Sequence, residues 1–202
     1  MKLYLSPGAC SLASHIVLRE LDADFDVIRV DTQSSRTETG ADYSAINPKG
    51  YVPSLELEEG QILTEGPAIL QYLADTHPEA ELAPPLGTLE RARMLEVLTF
   101  TSSELHKAFS PLFRADSTEP VKTDARVQVS RKMAFIEALL ADGREYVTGA
   151  SYTIADAYLF VVSNWAHFTE IDLNAWPKLS AFVQRVSQRP ATQAAMKAEG
   201  LI

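Results

Sequence analysis

The chain has 202 residues, with 18 Lys and Arg against 27 Asp and Glu, a net charge of −9 and a hydrophobic content of 46%. That length suits one large or two small domains with a full core, and the acidic balance argues against nucleic acid, whose phosphates need a basic stripe. The single cysteine excludes an internal disulfide, a CxxC redox pair and a Cys-rich zinc cluster.

No apolar run approaches the length of a membrane span. Met1–Ala9 reaches a Pro-Gly break before a signal-peptide core develops. A cytoplasmic protein with no membrane partner is the expectation.

"KLYL" at 2–5 reads as a short strand, and Ser6-Pro7-Gly8 breaks it. Leu12, Ile16, Val17 and Leu21 then recur near helical spacing, with Ser11 as a candidate N-cap. "FDVIRV" alternates as a half-buried strand, and residues 31–50 are polar and loop-like, with room for one short helix. "VPSLELEEGQILTE" reads as an antiparallel hairpin turning at Glu-Gly. From Gly66, Ile69, Leu70, Leu73 and Ala74 share one helical face. The order β-α-β-(α)-β-β-α is that of an α/β layer.

"HPEAELAPPLGT", with three prolines, reads as a linker. Beyond it only helical signals remain. Leu89–Phe109 is one long helix pattern, and Val129, Met133, Ile136 and Leu140 mark a second. "TIADAYLFVVSNWAHF" is apolar nearly all round, as a central buried helix must be. "WPKLSAFVQRVSQRP" and "ATQAAMKAEG" supply two shorter helices. The expected division is an α/β domain at 1–77, a linker at 78–86 and an all-helical domain at 87–202.

Several positions are suited to chemistry. Cys10 stands at the foot of a helix, where open backbone N–H groups and the positive dipole end favour thiolate; a small buried hydrophobe is the equal alternative. Pro53 within a strand-like run implies either a cis bond that presents the Val52 backbone to an extended ligand, or a trans proline opening an edge strand. Thr64-Glu65-Gly66 opens a helix whose N-terminus suits a carboxylate, with Glu65 placed for an ammonium group; simple capping by Thr64 or Glu65 is the rival. Thr99, Ser103 and His106 fall within roughly 60° of one another on an α-helix, and His106 is either a proton guide near neutral pH or a structural residue. Thr153 and Asp156 form a capping box, a folding device. There is no metal-ligand spacing, P-loop, GxGxxG or GxSxG.

Together and in this order, "PGACSLASHIVLRE", "NPKG" before "VP", "LTEGPAILQYLAD", "SELHK" before "SPLF", "TIADAYLF" and "RPATQAAMKAEGL" resemble a bacterial beta-class glutathione S-transferase over essentially the whole chain. The resemblance implies a thioredoxin-like α/β N-terminal domain, an all-α C-terminal domain and a homodimer that binds glutathione as co-substrate, with no permanent cofactor and no metal. It implies that Cys10 lies beside the glutathione sulfur, that Val52 before a cis-Pro53 pairs with the cysteinyl backbone, and that Glu65 and Gly66 hold the γ-glutamyl end. Thr99, Ser103, Glu104, Leu105 and His106 join the site, part of that stretch reaching across from the partner subunit, with Cys10 and His106 as the catalytic pair. Four positions depart from the family pattern: Leu5 replaces tyrosine, Ser35 replaces lysine with Arg36 adjacent, Tyr51 replaces glutamine, and Thr99 replaces asparagine. The implied activity is conjugation of glutathione to hydrophobic electrophiles in detoxification. The alternatives are glutathione-dependent thiol exchange or peroxide defence through Cys10, and non-catalytic binding of glutathione or hydrophobic ligands.

Overall fold

The computed structural model describes the backbone of residues 1–202 and every side chain except that of Glu59. Residues 1–83 and 188–202 form one compact unit, and residues 84–187 form another.

In the first unit, β1 (Lys2–Leu5), α1 (Ser11–Glu20), β2 (Asp26–Asp31), β3 (Arg36–Thr37), β4 (Ser54–Glu56), β5 (Ile62–Thr64) and α2 (Gly66–Thr76) follow in turn. The sheet order is β3-β2-β1-β4-β5. β1 runs parallel to β2 and antiparallel to β4, and β4 and β5 form the expected hairpin. β1 is central, so both of its faces are covered. Leu3, Tyr4 and Leu5 are buried in succession, which is why "KLYL" carries apolar residues without alternation. Tyr4 packs with Val30 and Tyr43, the two tyrosine rings 5.8 Å apart. The segment read as loop contains β3 and a 3₁₀ turn at Tyr43–Ala45. A two-residue strand is too short to leave an alternation signal.

One boundary differs from the sequence reading. α8 (Pro190–Glu199) belongs with the α/β unit, not with the helical one. It packs on α1, and Arg189 grips Glu20 through Nε and Nη2 at 2.7 and 2.9 Å. Arg29 Nη2 also donates to the Ala198 carbonyl at 3.0 Å. Periodicity identifies α8 as an amphipathic helix but contains nothing about which core receives its apolar face.

The second unit comprises α3 (Leu89–Phe100), α4 (His106–Phe113), α5 (Glu119–Leu139), α6 (Ile154–Asn164) and α7 (Pro177–Ser187). Every residue of α6 from Ile154 to Ser163 is buried. The expected continuous helix over 89–109 is interrupted by a π-helical turn at Thr101–Leu105. Hydroxyls account for it. Thr101 Oγ1 donates to Val97 O at 2.8 Å, and Ser102 and Ser103 both donate to Thr99 O, at 3.0 and 2.9 Å. Side-chain donors competing for the carbonyls of the preceding turn loosen the i→i−4 ladder. Among the described residues no helix is long and apolar enough to cross a membrane.

α6 begins at the capping box that the sequence specifies. Asp156 Oδ2 accepts from Thr153 N and Thr153 Oγ1, and Oδ1 accepts from Val147 N, all at 2.8 Å. Burial is the largest influence on this carboxyl and pushes its pKa up to about 6, against the pull of those three bonds. Because the folded value exceeds the unfolded 3.8, this group's contribution to stability declines as pH rises from about 4 through about 6. Replacing Asp156 with Ala leaves three buried donors without an acceptor. Asp156→Ala is expected to lower unfolding free energy by about 2–4 kcal/mol, measured by urea denaturation at pH 7. An unchanged midpoint would remove the capping role.

Candidate active site

Four of the expected residues, Cys10, Val52, Glu65 and Gly66, sit on the α/β unit. The first turn of α1 opens at Ser11, so Cys10 occupies the N-cap position and Ser11 lies inside the helix, contrary to the sequence reading. The Ser11 hydroxyl braces the preceding loop instead, accepting from Ser6 N at 3.2 Å and donating to Ser6 O at 3.3 Å. Leu12 N and Ala13 N are committed to Ala9 O and Cys10 O. The field at the Cys10 sulfur is therefore mainly the axial dipole of α1 rather than a full set of open amides.

Cys10 is half-buried, and its Sγ donates to Val52 O at 3.4 Å. The Val52-Pro53 bond is cis, which settles the choice left open by the sequence. Val52 lies outside the ladder, since β4 begins at Ser54. The bend is supported from beneath: Tyr43 Oη donates to Tyr51 O at 2.8 Å and lies 2.7 Å from Ser54 Oγ, and Asn47 Nδ2 donates to Tyr51 O at 2.7 Å. Tyr43 and Asn47 were missed in the sequence, since an isolated tyrosine or asparagine in a polar loop has no periodic signature.

α2 begins at Gly66, which is buried, with Pro67 in its first turn and no side-chain cap. Capping by Thr64 or Glu65, the rival sequence reading, does not occur. Glu65 adopts φ +72°, a region that side-chain-bearing residues enter at a cost of about 1–3 kcal/mol and that clusters at ligand clamps. Its carboxylate turns outward to Lys49 Nζ at 2.6 Å. This pair joins residues 16 apart across the hairpin and left no trace in the sequence pattern. Ser35 precedes β3 and Arg36 opens it, with Ser35 at φ +52° and Arg36 Nη1 donating to Gly40 O at 3.2 Å.

The remaining expected residues lie on the helical unit, around the π turn. Thr99, Ser103 and Glu104 are exposed, and Glu104 pairs with Lys132. Leu105 is wholly buried, so its side chain serves the core. The polar stripe drawn on a regular helix is distorted, because a π turn changes the angular step between Thr99, Ser103 and His106. His106 Nδ1 lies 2.7 Å from Tyr158 Oη, and its ring stands edge-on to Trp165 at 4.8 Å. Burial, and secondarily the charge of Lys107, pull its pKa down to about 4. The imidazole is thus neutral at pH 7. Phe109 and Phe113 complete an aromatic group on Trp165, at 5.7 and 5.2 Å, with Phe113 half exposed.

A family model described as the N-terminal domain of glutathione S-transferases matches residues 8–76, and one for their C-terminal domain matches residues 100–190. Glutathione S-transferase GstA of Escherichia coli O157:H7 is 47% identical over 201 residues, covering 100% of both chains. The solved structure of a bacterial beta-class glutathione S-transferase from Sphingomonas chungbukensis is 48% identical with a TM-score of 0.96, again covering 100% of both. A sphingomonad glutathione S-transferase complexed with glutathione is 47% identical with a TM-score of 0.95 over 100% of both chains. With both domains matched and relatives nearly half identical from end to end, the protein belongs to the glutathione S-transferase family, in its beta class.

Proposed function

We propose that this enzyme transfers glutathione, as co-substrate, to hydrophobic electrophiles, and that the tripeptide binds along the Cys10–Val52–Gly66 edge of the α/β unit. One observation carries the reading. Two uncapped helix starts, at Cys10 and at Gly66, belong to the same small unit as a cis-Pro53 bend whose preceding residue touches the Cys10 thiol. The cysteinyl backbone of glutathione pairs with Val52, the γ-glutamyl carboxylate takes the N-terminus of α2, and its ammonium takes Glu65. A thiol is a weak donor, so an incoming amide displaces the Cys10–Val52 contact at small cost.

Catalysis then reduces to keeping the bound sulfur ionised at pH 7 and holding an electrophile against it. Lowering an ordinary thiol pKa of about 8.5 by two units requires about 2.7 kcal/mol. A helix N-terminus supplies about 0.3–1 kcal/mol and up to ~2 when partly buried. A hydrogen bond to the charged sulfur supplies roughly 1.5–3 kcal/mol. The two together suffice. The aromatic group of Phe109, Phe113 and Trp165 favours an apolar second substrate, and the exposed Thr99, Ser103 and Glu104 remain part of the proposed glutathione set. A homodimer working in the cytoplasm, in detoxification, completes the proposal.

Because the reacting sulfur belongs to glutathione, Cys10→Ala is expected to lose mixed-disulfide formation while conjugation to a chlorodinitrobenzene persists within about tenfold. Loss of conjugation with glutathione affinity intact would make Cys10 the group that activates the sulfur. Glu65→Ala removes a charge-assisted contact and should raise KM for glutathione about tenfold or more with a smaller effect on kcat; an unchanged KM would displace the γ-glutamyl end from α2. His106, neutral when folded and with a pKa near 6.5 when unfolded, contributes stability above about pH 6.5 that is lost as pH falls toward 4, on the order of 3 kcal/mol. Nuclear magnetic resonance should find its imidazole unprotonated at pH 6, and His106→Gln should flatten the acid side of the stability profile. A midpoint near 6.5 for that ring would contradict its burial.

A further inference from the structure

We propose that Lys49 is a specificity-determining residue of this site, binding the α-carboxylate of the γ-glutamyl group while Glu65 binds the α-ammonium. The inference rests on the glutathione site proposed above and adds its cationic half. Lys49 Nζ donates to Glu65 Oε1 at 2.6 Å, so the pair engages one of the two carboxylate oxygens. An α-amino acid carries its ammonium and its carboxylate on one carbon, as opposite charges a hydrogen-bond length apart. Lys49 and Glu65 hold the complementary charges at a like separation. Exchange of partners turns one internal ion pair into two with the ligand, Lys49 on its carboxylate and Glu65 on its ammonium.

The two residues stand on either side of the bend proposed to receive the cysteinyl backbone. Lys49 lies shortly before Val52, and Glu65 follows Thr64, whose strand partner is Ser54, the residue after cis-Pro53. Each is placed by its own backbone rather than by the ion pair. Lys49 N donates to Asn47 Oδ1 at 3.2 Å, and Gly50 N donates to Asn47 O at 2.9 Å. Glu65 sits at φ +72°, its carbonyl accepting from Ile69 N at 3.0 Å. Asn47 also holds Tyr51 O, so the lysine and the Val52 bend share one support. Stability does not account for the pair. Its side chains are 47% and 65% exposed, and ion pairs in that setting contribute little to folding; the hairpin is closed by the β4–β5 ladder without it. Nor does Glu65 alone suit an amino-acid head. A bare carboxylate attracts the ammonium but repels the carboxylate on the same carbon, in a chain whose net charge is already −9. Lys49 cancels that repulsion locally and favours a head group that carries both charges.

Titration calorimetry of the full-length enzyme with three tripeptides tests the assignment: glutathione, γ-aminobutyryl-cysteinylglycine, which lacks only the α-carboxylate, and glutaryl-cysteinylglycine, which lacks only the α-ammonium. Lys49→Met is expected to weaken glutathione about three- to tenfold while leaving the tripeptide without the carboxylate within about twofold. For the wild-type enzyme, removing the ligand's carboxylate should cost about as much as removing the lysine. The glutaryl tripeptide keeps its carboxylate and should still lose affinity in Lys49→Met, and Lys49→Arg, which retains the charge, should recover most of the glutathione affinity. Equal losses for glutathione and the tripeptide without the carboxylate would reduce Lys49 to a support for its loop and overturn the proposal. Tighter glutathione binding in Lys49→Met would overturn it too, as the mark of a lysine that only competes with the ligand's ammonium. In both cases glutathione still binds and the proposed function stands. A wild-type enzyme that fails to bind glutathione would overturn the two together.

Discussion

The structure depends on how the open N–H groups at its helix starts are satisfied. A helix leaves its first amides without intrahelical acceptors, and a buried one cannot leave them so. At α6 the chain answers internally: Asp156 and Thr153 close the start of the most deeply buried helix, and Val147 is drawn into the same carboxylate. At α1 and α2 no side chain does so, and at α1 the preceding backbone takes Leu12 N and Ala13 N. Neither has a side-chain cap, and both starts belong to the thioredoxin-like unit. One kind of helix start is closed by a side-chain cap and the other is not.

Where a helix start has no side-chain cap, its approach is held by other contacts. At α2 the approach is Glu65, kept at positive φ and turned toward Lys49. At α1 it is the Ser6–Cys10 loop, braced by Ser11 and by the carboxylate of Glu199. The cis-Pro53 bend is held in turn by Tyr43 and Asn47. Each of these supports comes from a residue distant in the chain or unremarkable in type. The proposed site positions are conspicuous in the sequence and their supports are not.

The helical unit shows the same division. The hydroxyls of Thr101, Ser102 and Ser103 turn back on their own helix and open a π turn beside His106. Burial against Trp165 and Tyr158 then takes from His106 the titration that an exposed imidazole would have.

By itself the sequence determined the strand at 2–5, the hairpin around Glu-Gly, the helix from Gly66, the capping box at 153 and the buried helix after it, because each rests on local periodicity or turn chemistry. It also located Cys10, Val52, Glu65 and Gly66 as chemically suited positions. Tertiary structure alone decided that α8 docks on α1, that Ser11 braces a loop rather than capping a helix, that Lys49 meets Glu65, and that Glu199 reaches Gly8 and His15. Those outcomes depend on contacts between residues up to 191 positions apart, and on burial that shifts a histidine's proton affinity. Neither separation in space nor local dielectric is encoded in the identity of neighbouring residues.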